Sequence, residues 1–172
     1  MEISLNKVID EQFIRTLEAM NTILAKAETH AKDRGFNPDS YLALRFAPDM
    51  LPFTKQVQIA TDIAKGTVAR LTNKKAPVFE DNETTFAELK TRIGKTIEFL
   101  ASTKPEEYKG YESIVATFPW FPGKGLEGQD FLVSHALPNF YFHATTTYAL
   151  LRMSGVKLGK ADFLGKQNWK NV

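Results

Sequence analysis

The chain has 172 residues, 43% hydrophobic and 24% charged, with 22 basic against 20 acidic side chains and no cysteine. That size and balance fit a single domain, residues 1–172, able to bury its own core. They exclude disulfides, thiolate nucleophiles and Cys-ligated zinc, and a net charge of +2 argues against a nucleic-acid binder.

The opening segment MEISLNKVIDEQ contains acids and no apolar run, unlike a secretory signal. No stretch approaches the ~18 uninterrupted apolar residues of a membrane span. A cytoplasmic protein with no membrane partner is expected. The first helix is predicted from Leu5 to Asp33, because Phe13, Leu17, Met20, Leu24, Ala27 and Ala31 recur at helical spacing and Gly35 supplies a stop. His30, near its end, reads as a surface or capping residue. Asn37 to Pro48 is a connection with a helical turn through Tyr41–Phe46. A second helix follows from Asp49, with Asp49 as cap and Pro52 in the first turn. Its stripe is Phe53, Val57, Ala60, Ala64, Val68 and Leu71, and Gln56 sits on the shoulder, within reach of the interior.

Asn73 to Glu83 is polar and reads as a loop. Thr85 and Glu88 have capping-box spacing ahead of Phe86, Leu89, Ile93, Ile97 and Leu100, which defines a third helix from Thr85 to Ser102. Gly94 within it marks either a close helix approach or a weak point. Glu112 to Phe118 suits a short strand, and Pro122-Gly-Lys-Gly125 is turn material, so a small hairpin or irregular flap is expected. A fourth helix then begins near Gln129 or Asp130, kinks at Pro138 and ends at Gly155.

That last helix holds the chemistry. His135, Asn139 and His143 follow at four-residue steps, and Thr146, Thr147 and Leu150 continue the row. Residues so spaced share one face, and polar atoms turned inward need partners or a ligand. Trp120 and Phe121, at the flap tip, are candidates for a pocket mouth or a subunit interface. Asp62 reads as a surface or interhelix-pairing acid, and Asp130 as a cap. No nucleophile elbow or phosphate-cradling glycine loop is present.

The stretches APDMLPFTKQVQIATDIAK, FEDNETTFAELKTRI, LPNFYFHATTTYALLRMSGV and LGKADFLG resemble the DinB/YfiT-like superfamily, specifically an uncharacterised bacterial domain-of-unknown-function branch. The resemblance implies an all-α, four-helix bundle, a homodimer, and a site fed by the second and last helices. The resemblance also implies a three-histidine metal site, one histidine early in the second helix and two four apart in the last, in a superfamily that includes thiol-dependent transferases. On this alignment the three histidines become Gln56, Asn139 and His143, and only the last is an imidazole. Amide oxygens are poor ligands for zinc and its neighbours. His135 lies ~12 Å from His143 along a helix axis, too far to share a metal with it readily.

The leading expectation is therefore a small polar ligand bound in an intra-bundle pocket by Gln56, Asn139 and His143, with His135 and Trp120 nearby. No cofactor and no metal are expected. The first alternative is a metal- or thiol-dependent transferase with zinc or nickel on His143, or that residue as general base. The second is a structural or interaction homodimer whose polar row is a satisfied core network.

Overall fold

The computed structural model describes residues 4–171, and four long helices dominate it. Helix α1 occupies residues 5–33 as Leu5–Val8, a π-helical turn Ile9–Ile14, and Arg15–Asp33. Helix α2 is Phe53–Thr72 and α3 is Phe86–Ala101. Strands β1, Val115–Thr117, and β2, Gly125–Glu127, pair antiparallel with Ala116 opposite Leu126. Helix α4 occupies residues 128–153 as Gly128–Asp130, a second π-helical turn Phe131–Ala136, and Leu137–Met153. A short α5, Lys160–Leu164, packs back on α1. The chain is thus an all-α bundle with a small hairpin ahead of the last long helix, as its periodicity predicts. Among the described residues, no helix is long and apolar enough to cross a membrane.

The apolar stripes of α1 and α2 are buried without exception. Their spacing brings each apolar side chain back to one face every turn, and that face closes on its neighbours. Phe53 stacks on Phe86 at 5.5 Å between ring centroids, and Phe13 meets Phe140 edge-on at 4.8 Å. The capping box of α3 forms as spaced: the Thr85 hydroxyl accepts from the Glu88 amide, and the Glu88 carboxylate accepts from the amides of Thr84 and Thr85. Several boundaries differ from expectation, the strand among them, which is Val115–Thr117 and follows a 3-10 turn at Tyr111–Ser113. α2 begins at Phe53 with Pro52, not Asp49, in the cap position, because the extended Pro52 backbone ends the preceding turn. The turn after Asn37 is the 3-10 segment Pro38–Ala43, set by the Asn37 side chain accepting from the Asp39 amide.

Side-chain contacts give the helix directions. Phe53 meets Phe86, Thr61 meets Arg92 and Lys74 meets Ser102, so α2 and α3 run parallel. Phe13 meets Phe140 and His30 lies against Gly155, so α1 and α4 also run parallel. Gln56 meets His143 while Arg70 meets Phe131, which sets α2 antiparallel to α4. In cross-section α1 touches α3 and α4, and α2 touches the same two. Both long connections, residues 34–52 and 102–127, therefore cross between diagonal helices. Residues 73–85 must travel back the length of α2, about 30 Å at 1.5 Å per residue, as an extended strap.

Gly94 has nothing within 4 Å of where a Cβ would stand. It is a weak point in α3 rather than a close approach. Gly94→Ala should raise stability by roughly 0.5–1 kcal/mol through helix propensity and unfolded-state entropy, read as a higher urea midpoint with unchanged m value.

Candidate functional site

A π-helical turn, Phe131–Ala136, opens α4 and carries His135, while Asn139 and His143 lie in the regular helix beyond it. A π turn holds more residues than an α turn, so the helix phase slips between His135 and the residues beyond it. Pro138 follows at the start of the regular helix and is exposed, where its missing N–H matters least. The Ser134 hydroxyl turns back to the Asp130 carbonyl.

His143 is buried, and its Nδ1 lies 2.7 Å from Oε1 of Gln56, itself 2% exposed. The Gln56 amide nitrogen donates to the Leu51 carbonyl at 2.9 Å, so its oxygen must face the ring. Nδ1 therefore carries the proton and donates it. Burial pushes the His143 pKa below its ordinary value. Thr147 and Thr146 return their hydroxyls to the carbonyls of His143 and Phe142.

The sign of the linkage follows. The unfolded imidazole titrates near 6.5 and takes up its proton before the folded one does. The contribution of the neutral pair is complete above that value and declines as pH falls through it towards the lower folded pKa. Urea unfolding between pH 7.5 and 5 should show this slope, and His143→Leu should flatten it.

His135 and Asn139 go elsewhere. Both are half-buried and line a cleft of about 710 Å3 in the groove between α2 and α4, walled by the hairpin. Trp120 lies at its edge, 62% exposed, with its ring 5.1 Å from that of Phe118. The His135 ring packs against Phe118 and Phe131. Among the described residues, neither His135 nor Asn139 has a hydrogen-bond partner for its side chain. Gln56 and His143 are not among the residues lining the cleft. The five predicted site residues thus divide into a closed pair and an open groove, and the groove lies beside the bundle axis, whose interior is filled by apolar side chains.

A metal requirement can be tested against these residues. Gln56 Oε1 is engaged by the imidazole, Asn139 is an amide turned to the groove, and His143 supplies one nitrogen. This donor set does not fit a zinc or nickel site. Among the described residues, no group of three or more His, Cys, Asp or Glu side chains is placed to hold a metal ion.

Two features escaped the sequence reading. Arg92 is 2% exposed and binds Asp62 at 2.7 Å, Asp81 at 2.6 Å and Glu83 at 3.0 Å, with the Thr61 hydroxyl at 2.7 Å. Burial alone would raise the Glu83 carboxyl, but hydrogen bonds from Arg92 and Gln58 and the guanidinium charge hold it below its usual value. Asp62 is therefore an interhelix pairing residue. His30 is half-buried, its Nδ1 2.6 Å from the Tyr41 hydroxyl, and is no simple surface residue.

Comparisons with known proteins agree with this architecture. A family model described as a domain of unknown function (DUF1993) matches residues 6–164. A crystal structure of a DinB family member from Shewanella denitrificans superposes with a TM-score of 0.91 at 39% sequence identity, covering 96% of each chain. No curated protein matches the chain. The chain belongs to the DinB family, in the branch described by the DUF1993 domain of unknown function.

Proposed function

We propose that the protein binds a small polar ligand in the groove between α2, α4 and the hairpin, without a complete three-histidine metal site. One observation carries the reading: Asn139 and His135 present unbonded polar groups to a cleft of about 710 Å3, whereas Gln56 and His143 satisfy each other. A cleft of that size suits a metabolite-sized molecule, and unpaired polar groups in a partly dry wall gain most from a ligand that pairs them. Trp120 is the natural reporter at the mouth. Amide and indole NMR of the labelled protein during a screen of small polar fragments tests the reading. Shifts gathered on the Trp120 indole and the Asn139 side chain, lost in Asn139→Leu, are the expected result. Shifts gathered on Gln56 and His143 would contradict it.

We further propose that the protein is a homodimer. Its support is the outward row of α4, where Pro138, Phe142, Thr145 and Ala149 carry no charge and Phe142 is 55% exposed. A helix apolar on both faces is normally covered on both. Light scattering at tens of micromolar should give the mass of two chains, and a single-chain mass would rule the dimer out.

A further inference from the structure

Arg70 stands in the same groove and, among the described residues, belongs to no ion pair. Its guanidinium lies 5.3 Å from the Phe118 ring centroid and 6.0 Å from that of Phe131, and its Nη1 donates to the Gly66 carbonyl at 3.0 Å. Among the described residues, no carboxylate lies within ion-pair distance of it. Burial alone acts on its pKa and lowers it, with no anion to offset the cost. The neighbouring charges are already committed: Asp62 pairs with Arg92 and Lys65. Arg92 shows the contrast, since its buried guanidinium is met by three carboxylates.

Arg70 is half-buried, and although the rings attract its charge, a partly desolvated guanidinium still gains from an anionic partner. A guanidinium fixed in this way offers its remaining N–H groups as a planar fork matched to a carboxylate. The aromatic wall that holds Arg70 also leads to a second cavity. Phe118, Trp120 and His135 are shared with this cavity of about 260 Å3, which Phe121 and Leu126 extend into the hairpin. The groove thus joins a cationic pocket to an apolar annex across a common aromatic wall.

Resting on the proposal that this groove is the ligand site, we propose that its ligand is a small carboxylate with an apolar or aromatic body. The carboxylate pairs with Arg70, the body lies against Phe118 and Trp120, and His135 and Asn139 supply the remaining polar contacts. Arg70 and Lys65 against Asp62 leave a net positive charge on the cleft walls, and Lys124 adds another at the annex, so the walls favour an anion.

Phenylacetate and its neutral counterpart phenylacetamide are suitable probes, titrated into the wild-type protein and followed by calorimetry and the assigned Trp120 indole NMR signal. Phenylacetate should bind at least tenfold more tightly than the amide, and added salt should weaken the acid alone. Arg70→Gln should remove that preference, and Arg70→Lys should keep part of it. Equal binding of acid and amide would overturn the carboxylate assignment while leaving the groove a binding site. Silence from both, with no fragment shifting Trp120, would remove the groove as well. The wild-type comparison needs no variant to fold, and thermal melting of Arg70→Gln separates loss of the fork from loss of the fold.

Discussion

Arg92→Ala should lower the unfolding free energy by about 3 kcal/mol or more, the scale expected when one partner of a buried ion pair is removed. The guanidinium is 2% exposed and ties α3 to α2 through Asp62 and the Thr61 hydroxyl, and to the strap through Asp81 and Glu83. It also lies 4.6 Å from the centroid of the Phe79 ring on that strap. Removing it leaves Glu83 facing the interior without its main counter-charge and unfastens residues 73–85 together. Asp62 and Asp81 reach water, which keeps the loss from being larger. Urea denaturation should show a lower midpoint, and amide exchange should speed up in the strap before anywhere else. Arg92→Lys should recover only part of the loss, because one ammonium cannot span three carboxylates. Acid adds a second check. Glu83 is held below its usual value, so its contribution is present above the ordinary carboxylate range and is lost as pH falls through its lower folded pKa. A loss below ~1 kcal/mol would mean the cluster behaves as a surface pair.

Phe140→Ala should cost roughly 3–5 kcal/mol. Its ring is fully buried, meets Phe13 edge-on and contacts Tyr141, so it joins α4 to α1 in the middle of the core. Few neighbours there can collapse into the space, since Phe13 is held within the π-helical turn of α1. A double-mutant cycle with Phe13→Leu should return a coupling of about 0.5–1.5 kcal/mol for the aromatic pair. Phe140 neighbours Asn139 in the chain, so the same variant should also loosen the groove. A cost below ~1.5 kcal/mol would mean this layer of the bundle is poorly packed.

Both sites bear on what the sequence could and could not tell. Helical periodicity is local, so the stripes of α1 and α2 and the Thr85–Glu88 cap were legible from spacing alone. Long-range order was not. Nothing in the polar run from Asn73 to Glu83 announces that α2 and α3 are parallel, and only that direction makes the run a full-length strap. Arg92, beside the buried Ile93, looks like an ordinary flanking charge until Asp81 and Glu83 are carried back to it. The acids of the strap were the available signal, but they needed the topology to be read. The π-helical turn of α4 has no sequence signature either. His135 and Asn139 reach the groove together, and the row divides one turn later, between Asn139 and His143 within the regular helix. Arg70 has no sequence signature for a related reason: its significance lies in having no carboxylate partner among the described residues, and partners are visible only in three dimensions.

The most direct test of the account is a zinc titration of tag-free protein, observed through the ring nitrogens of His143 beside the His143→Ala variant. The account predicts a neutral imidazole protonated at Nδ1, bonded to Gln56 and unchanged by one equivalent of zinc, with the same metal content in both proteins as purified. Stoichiometric metal that shifts the His143 nitrogens and vanishes in the variant would contradict it and return the site to the Gln56, Asn139 and His143 set.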